Sequence, residues 1–78
     1  MMALAQLQPN QTAKVLGFAQ ACPAGYRRRL LSMGVVPNTQ LTVLRVAPLG
    51  DPIELTLRDC NLTLRKAEAA AVLVEVLS

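Results

Sequence analysis

From Ile53 to Arg58 the chain alternates without a break, with Ile53, Leu55 and Leu57 on one side and Glu54, Thr56 and Arg58 on the other. Successive side chains of a strand point to opposite faces, so a period of two builds a half-buried β-strand and does not fit a helix. The pattern recurs in shorter runs. Leu62 and Leu64 continue the inward set against Thr63 and Arg65, after a turn at Asp59 to Asn61, and Val72, Val74 and Val76 close the chain with Glu75 outward. Gln11 to Phe18 reads as a first strand, with Ala13, Val15 and Gly17 on one face and Lys14, Leu16 and Phe18 on the other. Gly17 marks a bulge or a close backbone approach near its end. From Thr39 to about Val46 both faces are half apolar: Leu41 and Val43 alternate against Leu44 and Val46, with Arg45 among the former. Such a strand suits a small, strongly curved barrel better than an open solvated sheet.

One segment breaks the period. Tyr26 to Asn38, YRRRLLSMGVVPN, reads as a short basic amphipathic helix followed by a turn. Pro23 suits the first helical turn, where its missing donor is not needed. Tyr26, Leu30 and Met33 fall at i, i+4 and i+7 and form the inward stripe, widened by Leu31. Gly34 ends the helix in the left-handed conformation, and Pro37-Asn38 turns the chain, since asparagine tolerates positive φ. About three turns do not persist alone, so the helix must be docked. Ala47 to Pro52, APLGDP, is a tight connection, and Lys66 to Ala70 has room for one helical turn. The expected fold is mainly β: a small closed or nearly closed barrel of about five strands, with one inserted short α-helix and a helical turn before the last strand. A two-layer α/β sandwich is the competitor, but the helical content is too small to cover five strands. Residues 1–78 are expected to form a single domain, because 78 residues leave no room for two cores.

Catalytic chemistry is hard to assemble from this composition. Histidine is absent, and serine occurs only at Ser32 and Ser78, so no Ser-His-acid triad is available. Asp51, Glu54, Asp59, Glu68 and Glu75 fall at turns or on outward faces, where solvated surface charge is the ordinary reading. Glu54 and Glu68 are the weak candidates for cation ligands. Cys22 and Cys60 lie far apart with no CxxC, and two soft ligands without histidine make a poor tetrahedral site. The four glycines sit at separate boundaries, so no phosphate loop exists. The expectation is a non-enzyme without a cofactor. Met1 to Pro9 lacks the basic start and apolar run of a signal peptide, and no stretch reaches a membrane span. These features point to a cytosolic protein with free thiols.

The formal charge of +3 includes three consecutive bases, Arg27, Arg28 and Arg29. A charge run on a helix is often its solvated face; the functional alternative is docking onto an acidic protein surface or anionic lipid heads. Nucleic acid fits less well, because a broad basic groove and stacking aromatics are missing. Pro48, Leu49, Gly50 and Asp51 offer a second candidate surface, with an apolar residue at the tip of a proline-bounded loop.

YRRRLLSMGVVPN, followed by TVLRVAPLGDPIEL and LTLRKAEAAAVLVE, resembles the FeoA family, the small cytosolic A component of the bacterial ferrous iron transport system. The likeness runs from about Thr12 to Val76. Leu30, Leu31 and Gly34 match the family's helix and its ending glycine, and Pro37 its turn proline. Asn38 stands where many members have glycine. Pro48, Leu49, Gly50 and Pro52 match its connection, and Leu62, Leu64 and Arg65 the block before the helical turn. Cys22 and Cys60 match no family pattern. The resemblance implies an SH3-like β-barrel and a partner, the membrane-embedded ferrous iron permease with its cytosolic GTPase domain. It also implies an alternative, a metal-responsive module like the last domain of metal-dependent repressors.

Overall fold

The computed structural model describes residues 2–77. Six strands form one antiparallel sheet: β1 (Met2–Ala3), β2 (Thr12–Phe18), β3 (Gln40–Val46), β4 (Ile53–Leu57), β5 (Cys60–Leu64) and β6 (Val72–Val76). Helix α1 (Ala24–Ser32) lies between β2 and β3, and the single turn α2 (Lys66–Ala69) between β5 and β6. Across the sheet the order is β1-β6-β2-β3-β4-β5. The domain is thus mainly β with an inserted helix, but two expectations need correction. Among the described residues there are six strands rather than five, and β1 and β5 end the sheet without pairing to each other, so these strands do not close into a barrel.

The reason lies in the first residues. β1 is two residues long and runs straight into a 3-10 turn, Leu4–Gln6, in which Gln6 Oε1 accepts the Ala3 N–H at 2.8 Å. This turn packs against α2 and β6. Leu4 from the turn and Ala69 from α2 are both fully buried, so this part of the core is filled by residues outside the strands.

The period-two reading places the core well. Val15 from β2, Leu41 and Val43 from β3, Ile53, Leu55 and Leu57 from β4, Leu64 from β5, and Val72 and Val74 from β6 are all buried. β2 shifts register against β6 between Val15 and Gly17, the bulge expected at the glycine. A second bulge between Val43 and Arg45 corrects the expected faces of β3. Leu44 is outward and 44% exposed, Arg45 joins Glu54 on the outer face instead of Leu41 and Val43, and Val46 comes opposite Ile53 on the core side. The β4–β5 connection is Arg58-Asp59 rather than Asp59 to Asn61: both residues have positive φ, 51° and 65°, and Cys60 already pairs with Leu57.

A basic helix and a loop braced on one helical turn

Helix α1 begins after Pro23 and is anchored by one fully buried residue, Leu30. Tyr26 and Met33 are half-buried beside it, whereas Leu31 is 40% exposed and falls outside the stripe. The Met33 N–H donates to Arg29 O at 3.2 Å and to Leu30 O at 3.1 Å, closing the last turn. Gly34 follows at φ 96°, where a Cβ would also meet Leu57 Cδ2 at 3.3 Å. Two constraints therefore coincide at this glycine, one conformational and one steric. Pro37 and Asn38 then occupy the centre of a β-turn, with Asn38 at φ 73° and the Thr39 N–H donating to Val36 O at 3.2 Å. Positive φ at the third residue is the type II arrangement.

The three arginines of α1 have different surroundings. Arg27 sits over the Phe18 ring, 6.0 Å from its centroid, within cation–π range. Arg28 is exposed and enters no ion pair among the described residues. Arg29 donates from Nη1 to Glu68 Oε2 and so ties α1 to α2.

Glu68 corrects the expectation of a surface acid. It is 5% exposed, accepts the Arg65 N–H at 3.1 Å through Oε1, and holds Arg29 through Oε2. Burial pushes its carboxyl up. The hydrogen bonds from Arg29 and the Arg65 backbone, together with both positive charges, outweigh burial and leave it below the usual carboxylate range.

Loop 47–52 braces the other end of the same turn. Pro48–Gly50 forms a 3-10 turn, the Gly50 N–H donates to Ala47 O at 2.9 Å, and the Ala47 N–H donates to Pro52 O at 3.0 Å. Asp51 Oδ1 accepts the Lys66 N–H at 3.2 Å, satisfying an orphan donor at the start of α2. Leu49 is left at the tip, 94% exposed at φ 70°. The two surfaces singled out from sequence, the arginine helix and the loop, are thus both attached to α2.

An apolar hollow of about 210 Å³ is lined by Ala19, Ala21, Cys22 and Pro23 from the segment before α1 and by Ala67, Ala70 and Ala71 in and after α2. Sequence reasoning missed it. Its one signal in the sequence is the run of alanines around α2, Ala67 and Ala69 to Ala71.

The carboxylates weighed as cation ligands are already engaged. Glu54 Oε2 lies 3.1 Å from Arg45 Nε, and Glu68 is held by Arg29. No cluster of three acid, cysteine or histidine side chains able to hold a metal occurs among the described residues. This donor set does not fit a first-row metal centre.

The FeoA domain family profile matches residues 2–76. The chain belongs to the FeoA domain family. A FeoA-like protein from Clostridium acetobutylicum has the same fold at a TM-score of 0.88 and 39% identity, covering 99% of this chain and 87% of that one. A zinc-complexed FeoA from Stenotrophomonas maltophilia, described as an SH3 domain protein, superposes at a TM-score of 0.83 with 25% identity, over 96% of this chain and 91% of that one. SH3-like topology is therefore the family's and this chain's. A curated relative from Porphyromonas gingivalis, an Fe(2+) transport protein A/Fe(2+) transporter FeoB fusion protein, is 42% identical over 53 residues. That match takes in 68% of this chain but only 6% of the relative.

Proposed function

We propose that this FeoA domain is a non-catalytic accessory protein of ferrous iron uptake that docks on the cytosolic part of the membrane GTPase iron permease and modulates its assembly or activity. The observation that carries this reading is the fused relative, in which a FeoA-like segment is covalently joined to the transporter. Joining two chains makes their encounter intramolecular and raises its effective concentration, a benefit only if the two parts touch.

The groups left solvated support a docking surface made of the basic helix and the loop. Arg28 supplies a solvated positive charge for steering, with Arg27 beside it on α1. Leu49 supplies apolar contact from a loop whose prolines limit the conformational freedom lost on binding. Arg29 and Asp51, also weighed as contacts, act instead as braces that hold these two elements on α2. The metal-responsive alternative has no comparable support, since its carboxylates are paired with arginines.

Co-purification with the full-length permease in detergent tests the reading. The wild-type chain is expected to remain with the permease through size exclusion. Its complete loss, from a permease preparation that still hydrolyses GTP, would refute the docking role.

A further inference from the structure

The two ends of the sheet are protected unequally. β1 exposes a two-residue edge that leads at once into the 3-10 turn. β5 exposes five residues, all in unbroken register with β4 from Leu57↔Cys60 to Ile53↔Leu64. It contains no lysine, proline or bulge, the devices that normally blunt an edge.

The hairpin geometry fixes which backbone groups face outward. Positive φ at both Arg58 and Asp59 is the type I′ pattern of a two-residue hairpin, which closes on a hydrogen-bonded pair, here Leu57 and Cys60. Alternation then points the N–H and C=O of Leu62 and Leu64 at β4, and those of Asn61 and Thr63 away from it. Asn61 and Thr63 are exposed, and neither backbone is bonded to another segment among the described residues.

We propose that this edge is a homodimer interface in which β5 pairs antiparallel with β5 of a second copy about a twofold axis at Leu62. Asn61 then faces Thr63 of the second copy and Thr63 faces its Asn61, so each pair exchanges both N–H···O bonds. Leu62 meets Leu62 of the second copy in a non-hydrogen-bonded pair, where side chains approach most closely. Leu62 is half-buried against the core, so this contact extends the core across the axis.

Charge selects the second copy and this register. Beyond the strand, the turn residue Asp59 comes near Arg65 of the second copy, and symmetry repeats the pair. Both residues are exposed, and neither enters an ion pair among the described residues. Arg58, which would bring like charge toward Lys66 of the second copy, turns its Nη2 to donate to Thr39 Oγ1 at 3.4 Å. Sliding the register so that Asn61 faces Asn61 of the second copy places Leu64 opposite Arg58 and leaves Arg65 without its acid.

Sedimentation equilibrium with amide exchange measured over a range of protein concentrations tests the proposal. A dimer tighter than about 1 mM is expected, with protection rising with concentration at the Asn61 and Thr63 amides and unchanged at Leu62. Thr63→Pro removes an outward N–H at an edge position that tolerates proline and weakens the dimer about tenfold or more. Asp59→Asn keeps a residue suited to positive φ and weakens it severalfold at low salt, whereas Leu49→Asp leaves it unchanged. A chain that stays monomeric to about 1 mM, a dimer indifferent to both edge variants, or concentration-dependent protection elsewhere would each overturn the proposal. So would an edge occupied only by a strand of another protein.

Discussion

Arg28 and Arg29 are neighbours in sequence, yet among the described residues only Arg29 of the two enters an ion pair. Removing its side chain leaves the Glu68 carboxylate buried and without its countercharge. Arg29→Ala is therefore expected to destabilise the domain by about 1–3 kcal/mol, while Arg28→Ala stays within about 0.5 kcal/mol of wild type; urea denaturation of the two variants checks the contrast. The same carboxylate gives stability an acid limb. Its folded value lies below its unfolded one, so its contribution is complete above the unfolded carboxylate value of about 4.3 and is lost as the pH falls through the folded value. Glu68→Gln should flatten that limb, read as a smaller shift of the denaturation midpoint between neutral pH and about pH 3. Gly34 makes a separate prediction. Gly34→Ala must adopt φ 96° and press on Leu57, and is expected to cost about 1–2 kcal/mol. The backbone roles of Gly34 and Asn38 are visible in sequence because they are set by local dihedrals. The Arg29–Glu68 bridge is not, since its partners stand 39 residues apart and only the docking of α1 brings them together.

The elements differ in how far local pattern determines them. β4 has one face on the core along its whole length, so its alternation survives intact in the sequence. The opening segment does the same work for packing without any period. Leu4 and Leu7 are core residues, 0% and 4% exposed, but they belong to a 3-10 turn and its end, where neither period two nor 3.6 develops. That is why periodicity does not reveal β1 and the turn that follows it. Leu4→Ala is predicted to destabilise by about 2–5 kcal/mol, as a large-to-small change in a packed core should; a surface segment would lose far less, and thermal denaturation separates the two. Helix α1 depends on a single buried anchor, so Leu30→Ala should raise amide exchange in residues 24–32 before it does so in β2 and β6.

For the whole molecule, the sheet acts as a frame and α2 as the mount for two surfaces. Arg29 fixes the basic helix to one side of α2, and Asp51 fixes the loop carrying Leu49 to its start. An exposed leucine on a braced loop and a solvated arginine on a braced helix form a rigid presentation, which keeps the entropic penalty of binding low. The sequence made both surfaces visible as candidates, the arginines by their clustering and Leu49 by its proline-bounded loop. It could not distribute roles within them, because that depends on which charges the fold consumes. The central claim is that this rigid pair of surfaces docks on the permease. Calorimetric titration of the chain against the permease's soluble nucleotide-binding domain addresses it most directly, using wild type and the Arg28→Glu/Leu49→Asp variant with folding checked by circular dichroism. The account predicts saturable binding by wild type and a loss of about tenfold or more in the folded double variant, equivalent to about 1.4 kcal/mol. Equal affinity for the two proteins would contradict it.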